Sequence, residues 1–222
     1  MRPAAVIKIG GSLDACGALP ALCRAVGRIG RSHALIVVPG GGAFADRVRD
    51  ACRRYPLGDT AAHRMALLAM DQYAHLLARL IPGGALTARV SSACRLAALR
   101  RPAVLLPSAP LSRCRMLPHS WRVTSDTIAA WVAHRARCPG VVLVKDVDGL
   151  FPAWPAEGRS TAFDREMTVD ELARHRGGVD AYLARFLASA KLETWIVNGR
   201  FPGRLKELLE RGHTAGTRIL RS

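Results

Sequence analysis

The chain carries a lysine at the end of an apolar run, followed at once by two glycines and a serine: Lys8-Ile9-Gly10-Gly11-Ser12. A lysine at the end of a buried strand is costly unless it meets an anion. Two glycines let main chain and ligand approach closely and leave N–H groups to aim at it, and the serine hydroxyl adds a donor. Together these groups suit a polyphosphate. The spacing is not G-x-x-x-x-G-K-[ST], so a P-loop is excluded. The same residues also satisfy a plain strand-to-helix turn with a solvated lysine, and the spacing alone does not separate the two readings.

Three more patterns stand beside it. Pro39-Gly40-Gly41-Gly42 again follows an apolar run and precedes a helical pattern, which places an open backbone surface at a helix N-terminus, a good anion site or else a flexible loop. Lys145-Asp146-Val147-Asp148-Gly149-Leu150-Phe151 joins a strand-end lysine, two acids and a glycine turn; a local ion pair would explain it equally well. Thr124-Ser125-Asp126 reads first as helix capping.

The elements that must position these groups follow from the apolar pattern. Residues 4–9, 34–38, 141–144 and 194–197 read as buried strands, with shorter ones at 86–90, 103–106 and 217–220. Helices are expected over about 18–31, 43–54 (with Phe44, Val48 and Cys52 on one face), 59–80, 124–137, 169–175, 179–189 and 202–211. Asp59 or Thr60 is the expected cap of the third of these, and Thr124 or Ser125 of the fourth. Residues 107–118 read as irregular, and 147–168 as a loop with Pro152, Pro155 and Gly158. Alternating strands and helices point to an α/β fold with a mainly parallel sheet, in which ligands sit at the carboxyl ends of the strands. No linker or repeat divides the chain, so one domain over 1–222 is expected.

The formal net charge is +16, which raises nucleic acid as a partner. Only four lysines occur, and the 29 arginines are dispersed without a block or an aromatic-rich stripe. No specific nucleic-acid partner is therefore expected, and a small anionic substrate fits the charge at least as well. The six cysteines form no C-x-x-C pair, so no metal site is expected. No apolar run reaches membrane length, and the start lacks a signal peptide, so a cytoplasmic protein with reduced thiols and no membrane partner is expected.

Taken in order, Lys-x-Gly-Gly-Ser, Pro-Gly-Gly-Gly, Thr-Ser-Asp and Lys-Asp-Val-Asp-Gly-Leu-Phe resemble the amino acid kinase family over nearly the whole chain. The resemblance implies a three-layer α/β/α sandwich and ATP-dependent phosphoryl transfer, with Mg²⁺ on the nucleotide and, as is usual in the family, a homo-oligomer. It implies that Lys8 touches the transferred group and that Asp126 orients the lysine. Gly10, Gly11 and Ser12 would cradle ATP phosphates, while Lys145, Asp146, Asp148, Gly149 and Phe151 would belong to the nucleotide site. Gly40, Gly41 and Gly42 would hold the acceptor. One departure stands out: the family often has Gly-Gly-Met-x-x-Lys, and here Gly177-Gly178-Val179-Asp180-Ala181-Tyr182 puts a tyrosine at the lysine position, with Lys191 nine residues further on, so that Lys145 or an arginine would take the role or the arrangement differs.

Segments from Asp59 to Tyr73, from Leu117 to Asp126, and Trp195-Ile196-Val197-Asn198-Gly199 resemble a smaller subgroup, the phosphate kinases of methanofuran biosynthesis. That resemblance implies an acceptor that is already a phosphate monoester and carries an aminomethylfuran. Isopentenyl phosphate, an amino-acid carboxylate, or nucleotide binding without turnover remain alternatives. His63 would donate to the acceptor phosphate or else be a helix or core histidine. Asp71 would pair with the amine or lie on a solvated face. His119 and Trp121 would guard the ATP site or form a packed turn.

Overall fold

The structure, a computed structural model, describes residues 2–112, 114–152 and 162–220. Chain order is β1 (Ala5–Ile9), α1 (Ser12–Ala15), α2 (Leu19–Ile29), β2 (Leu35–Pro39), α3 (Gly42–Arg54) and α4 (Gly58–Leu80). Then come β3 (Ala85–Thr87), α5 (Val90–Ala98), β4 (Ala103–Leu105), α6 (Ser108–Leu111), α7 (Ser125–Arg135) and β5 (Gly140–Lys145). The chain closes with β6 (Glu166–Met167), α8 (Val169–Arg174), α9 (Leu183–Ala190), β7 (Glu193–Asn198), α10 (Pro202–Arg211) and β8 (Gly216–Ile219).

The strands form one eight-stranded sheet in the order β3-β4-β2-β1-β5-β7-β8-β6. Every neighbouring pair is parallel except β7 with β8. The central strands are apolar throughout because helices cover both faces of the sheet. Strand alternation divides their side chains. Val6, Ile36, Leu143 and Ile196 pack against α7 and its neighbours α5 and α9. Ile7, Val37, Val142 and Val197 pack against α2, α4 and α10. The result is the expected three-layer α/β/α sandwich. All six cysteines are free, and no helix among the described residues is long and apolar enough to cross a membrane.

The same alternation decides where the lysines point. Lys8 shares a face with Val6, and Lys145 shares that face with Leu143. β1 and β5 are neighbours in register, Lys8 opposite Leu143, so both ammonium groups leave the carboxyl end of the sheet on the side of α7.

Several local expectations need correcting. α4 begins at Gly58 after Leu57, with no side-chain cap, so Asp59 and Thr60 do not cap it; Asp59 instead lies in the first turn, where a carboxylate favours the helix dipole. Phe44 is exposed, and Ala45 and Val48 make the buried face of α3. Residues 107–118 are not wholly irregular: α6 lies there, its first amide bonded to Asp71. The stretch 147–168 contains β6 and a bridge between Leu150 and Asp164; Pro155 and Gly158 lie outside the described residues. The helix expected over 179–189 starts only at Leu183, because the preceding glycines turn the chain, with φ of +90° at Gly177 and +74° at Gly178.

The two glycine turns lie back to back. A Cβ on Gly11 would sit 2.2 Å from the Gly42 Cα, and Gly42 itself holds φ +54°. Gly40 donates its amide to the Ile9 carbonyl at 2.8 Å. The glycines are thus required by loop-to-loop packing, before any ligand is considered. Gly11→Ala must push the two turns apart, at about 2 kcal/mol, so thermal denaturation should show a Tm lowered by roughly 5 °C.

Candidate active site

A cleft of about 810 Å³ opens over the carboxyl ends of β1, β2 and β5. It is lined by Lys8, Gly10, Gly11, Ser12, Gly40, Gly41, Gly42, Asp126, Lys145 and Asp146. Residues more than a hundred positions apart are therefore brought together as the strand pattern requires. Trp121, one of the two expected guards, lines the same cleft, and so do Asp14, Arg49 and Asp180, which no local pattern in the sequence marks.

At its floor lie two buried charges, Lys8 and Asp126, and the half-buried Lys145. Asp126, in the first turn of α7, meets Lys8 Nζ through Oδ1 at 3.0 Å and Lys145 Nζ through Oδ2 at 2.8 Å. The Lys145 contact is an aligned hydrogen bond; the Lys8 contact is an ion pair that leaves Oδ1 without an aligned donor. Burial works against the charged form of Asp126, but the Lys145 and Lys8 ammonium groups outweigh it and hold the carboxyl below its usual range. Burial, helped by the nearby Lys145 charge, pulls Lys8 below the usual lysine range although Asp126 opposes the shift. Asp126 alone does not balance the two cations, and Asp180 brings a further carboxylate to the same cleft wall.

The loops above this cluster present backbone donors. The Gly10 amide is taken by the Val144 carbonyl at 3.3 Å. Among the described residues, the amides of Gly11, Ser12 and Gly41 meet no protein acceptor, and all three residues line the cleft. Tyr73, fully buried on α4, lies under both turns: its hydroxyl donates to the Gly10 carbonyl at 3.4 Å, and its ring lies 3.3 Å from where a Gly42 Cβ would be.

Asp148, Gly149 and Phe151 lie beside the cleft and do not line it. Asp148 accepts from Asn198 Nδ2 at 3.1 Å and pairs with Arg204; burial opposes its ionisation, but these two partners lower its pKa. Gly149 packs so closely that a Cβ would lie 2.5 Å from Thr217 Oγ1. The Phe151 carbonyl accepts from His175 Nε2 at 2.6 Å.

A second, smaller cavity of about 90 Å³ adjoins the cleft and shares Gly41, Ala45, Arg49, Trp121, Thr124 and Ser125 with it. His63, Leu67 and Met70 of α4 form one wall, with Asp59 at its N-terminal end. His63 is buried and stacks on His119 with ring centroids 4.7 Å apart; burial first, then the neighbouring imidazole, lowers its pKa, so it is neutral near pH 7. His119 thus belongs to the His63 wall, held to Thr60 at 3.2 Å, rather than to the phosphate loops. Asp71, expected to face an amine or solvent, does neither: it accepts from the Ser108 amide at 3.1 Å and from the Ser108 hydroxyl.

Tyr182 is the N-cap of α9, with Arg185 5.5 Å over its ring, and Lys191 is exposed at the far end of that helix. Neither lines the cleft. Lys145, delivered by β5, is the second lysine that meets Asp126.

These features have close counterparts among known proteins. The family model for the amino acid kinase family matches residues 3–198. The chain belongs to the amino acid kinase family. This amino acid kinase is 28% identical over 223 residues, covering 97% of both chains, to the [5-(aminomethyl)furan-3-yl]methyl phosphate kinase of Methanocaldococcus jannaschii. It is 21% identical over 194 residues to the uridylate kinase of Methanosarcina barkeri, covering 83% of this chain and 80% of that one. The crystal structure of uridylate kinase from Archaeoglobus fulgidus matches its fold with a TM-score of 0.77, at 21% identity, over 99% of this chain and 100% of that one. The protein is an ATP-dependent phosphotransferase. Lys8→Ala removes one cation from the floor of the cleft and leaves Asp126 paired with Lys145; kcat should fall by at least about 100-fold while circular dichroism shows a retained fold.

Proposed function

We propose that this kinase phosphorylates a small phosphate monoester bearing an amine, of the kind of [5-(aminomethyl)furan-3-yl]methyl phosphate, to its diphosphate. The observation that carries the reading is the composition of the smaller cavity. One end meets the cleft at Gly41 and Arg49, beside the phosphoryl site. The Arg49 guanidinium is bonded to Asp46 at 2.7 Å and lies 5.0 Å over Trp121, a pose that leaves it available to an anion. The walls are apolar or aromatic: Ala45, Ala66, Leu67, Met70, Val123, Ile128 and Trp121. The carboxylate lining it is Asp59, which meets no cation among the described residues. A flat heterocycle with a phosphate at one end and an ammonium at the other complements that arrangement. The likeness to the M. jannaschii enzyme along the whole chain supports the same acceptor.

In this reading ATP lies with its phosphates over Gly10, Gly11 and Ser12. Mg²⁺ would come bound to the ATP phosphates and neutralise them; among the described residues no group of three or more His, Cys, Asp or Glu is placed to hold an ion by itself. Gly40, Gly41 and Gly42, with His63 as a neutral donor, hold the acceptor phosphate. One of its oxygens attacks the γ-phosphorus, the bond to the ADP oxygen breaks, and ADP and a diphosphate leave. The acceptor oxygen is already anionic, so no general base is needed, and the protein contributes position and positive charge. Lys8 and Lys145 receive the charge that spreads over the transferred group, and Asp126 keeps both at the right place.

Uridylate is the second reading, favoured by the relatives in that class. The small volume of the cavity and its unpaired carboxylate favour the amine. The test is parallel incubation with ATP, Mg²⁺ and one of three acceptors, the furan phosphate, UMP or isopentenyl phosphate, with products read by mass spectrometry. Furan diphosphate is expected; turnover of UMP or isopentenyl phosphate alone would overturn the assignment. With the furan acceptor, Asp59→Asn should raise its KM by about 10-fold or more, as expected for a hydrogen-bonded ion pair, with kcat and the KM for ATP little changed.

A further inference from the structure

Asp180 is absorbed by none of the roles above, yet it is a half-buried carboxylate in the wall of the same cleft. It follows Gly177 and Gly178, whose left-handed backbone turns the chain back toward the start of α7. There its Oδ2 accepts from the Thr124 amide at 3.0 Å, the Thr124 hydroxyl at 3.1 Å and the Thr127 amide at 2.9 Å. Its Oδ1 accepts from the Thr127 hydroxyl and, at 3.3 Å, from the Tyr182 amide. Thr124 is the N-cap residue of α7 but makes no cap with its own side chain. The cap comes from 53 to 56 residues downstream. Burial and then the nearby Asp126 charge push the Asp180 pKa up, against the Thr127 and Thr124 donors, and since every partner donates the ionised carboxylate is the form that fits the geometry.

We propose that Asp180 is a positioning residue for phosphoryl transfer: it clamps the turn that carries Asp126 and completes a balanced cluster of two lysines and two carboxylates. The geometry gives the first half. Asp126 lies between Thr124 and Thr127 in the clamped turn, and it touches both lysines. A shift of that turn moves both cations relative to the γ-phosphate, and misplacement by about 1 Å costs on the order of 100-fold in rate. This role does not depend on which acceptor the enzyme uses.

The second half concerns charge. Lys8 faces Asp126 from α7, Lys145 from β5 and Asp180 from the turn before α9. The other charged groups lining the cleft are Asp14 of α1, Asp46 and Arg49 of α3, and Asp146 after β5. Burial and Lys145 favour the neutral amine of Lys8, while Asp126 and then Asp180 favour the ammonium. Neutralising Asp180 removes one of two anions that keep Lys8 protonated. The Lys8 pKa must then fall further, and the alkaline limb of the rate profile must move to lower pH. A purely structural cap would lower kcat without moving that limb.

The scarcity of lysine makes the test direct. Lysine labelled with ¹³C at Cε gives resonances from Lys8, Lys145, Lys191 and Lys206 alone, and the exposed Lys191 and Lys206 serve as internal references. The experiment titrates wild type and Asp180→Asn by NMR without substrate. It also records kcat against pH with the acceptor that turns over in the assay above. Expected are a Lys8 titration lowered by about one unit in the variant, a matching acid-ward shift of the alkaline limb, and a kcat lower by roughly 100-fold. Thr127→Val removes one donor from the clamp and keeps the charge; it should lower kcat with Lys8 titrating as in wild type, and it keeps the geometric half testable if Asp180→Asn does not fold. An unchanged Lys8 titration in folded Asp180→Asn, or wild-type kcat in either variant, would overturn the proposal. Failure of the furan acceptor alone would leave the NMR result standing and would count only against the substrate assignment.

Discussion

Two ammonium groups held a few ångströms apart, out of water, on one face of a parallel sheet are the constraint to which this fold answers. Removing charges from water costs several kcal/mol per ion unless partners replace the solvent. Asp126 replaces part of it, which is why a carboxylate occupies the first turn of a helix whose middle, Ile128 to Ala133, is apolar and buried. α7 can be so buried only because the sheet face below and the helices beside it are apolar too. Asp180 brings a second carboxylate to the same cleft wall, so two anions and two cations share that cost.

α4 organises the acceptor side. Within one helix, Tyr73 supports both glycine turns, His63, Leu67 and Met70 make the cavity wall, and Asp71 caps α6. Its helical spacing lets successive turns serve successive layers of the molecule, so that substrate shape and phosphate geometry are both referred to one rigid element.

Much of this was legible in the sequence where a residue conflicts with its surroundings. Lys8 and Lys145 ending apolar runs, and glycine turns directly after strands, signalled the carboxyl end of the sheet as the site. The alternation that aims both lysines the same way also follows from the pattern, once β1 and β5 are known to be neighbours. Asp126 was less legible, since Ser and Asp at a helix start read as capping; only the family resemblance gave it a chemical role. Asp71 and Asp180 were not legible, because their partners lie 37 and 53 to 56 residues away and no local rule connects them. Tyr182 announced that a lysine was missing and left Lys145 or an arginine as substitutes; that Lys145 meets Asp126 required the strand order. The glycines were read correctly as needing a bare backbone, and the cause at Gly11 and Gly42 is the neighbouring turn as much as any ligand.

That contact has a further consequence. In the proposed mechanism the turn over which the donor phosphates would lie and the turn that would face the acceptor are separated by the thickness of two peptide chains, with nothing adjustable between them. Their spacing is therefore a main-chain dimension, indifferent to side-chain rotamers. Selection could remodel the walls around α4 to admit a different acceptor and still deliver its phosphate to the same point, so the fold keeps a fixed gauge for the reaction and leaves the choice of molecule to the periphery.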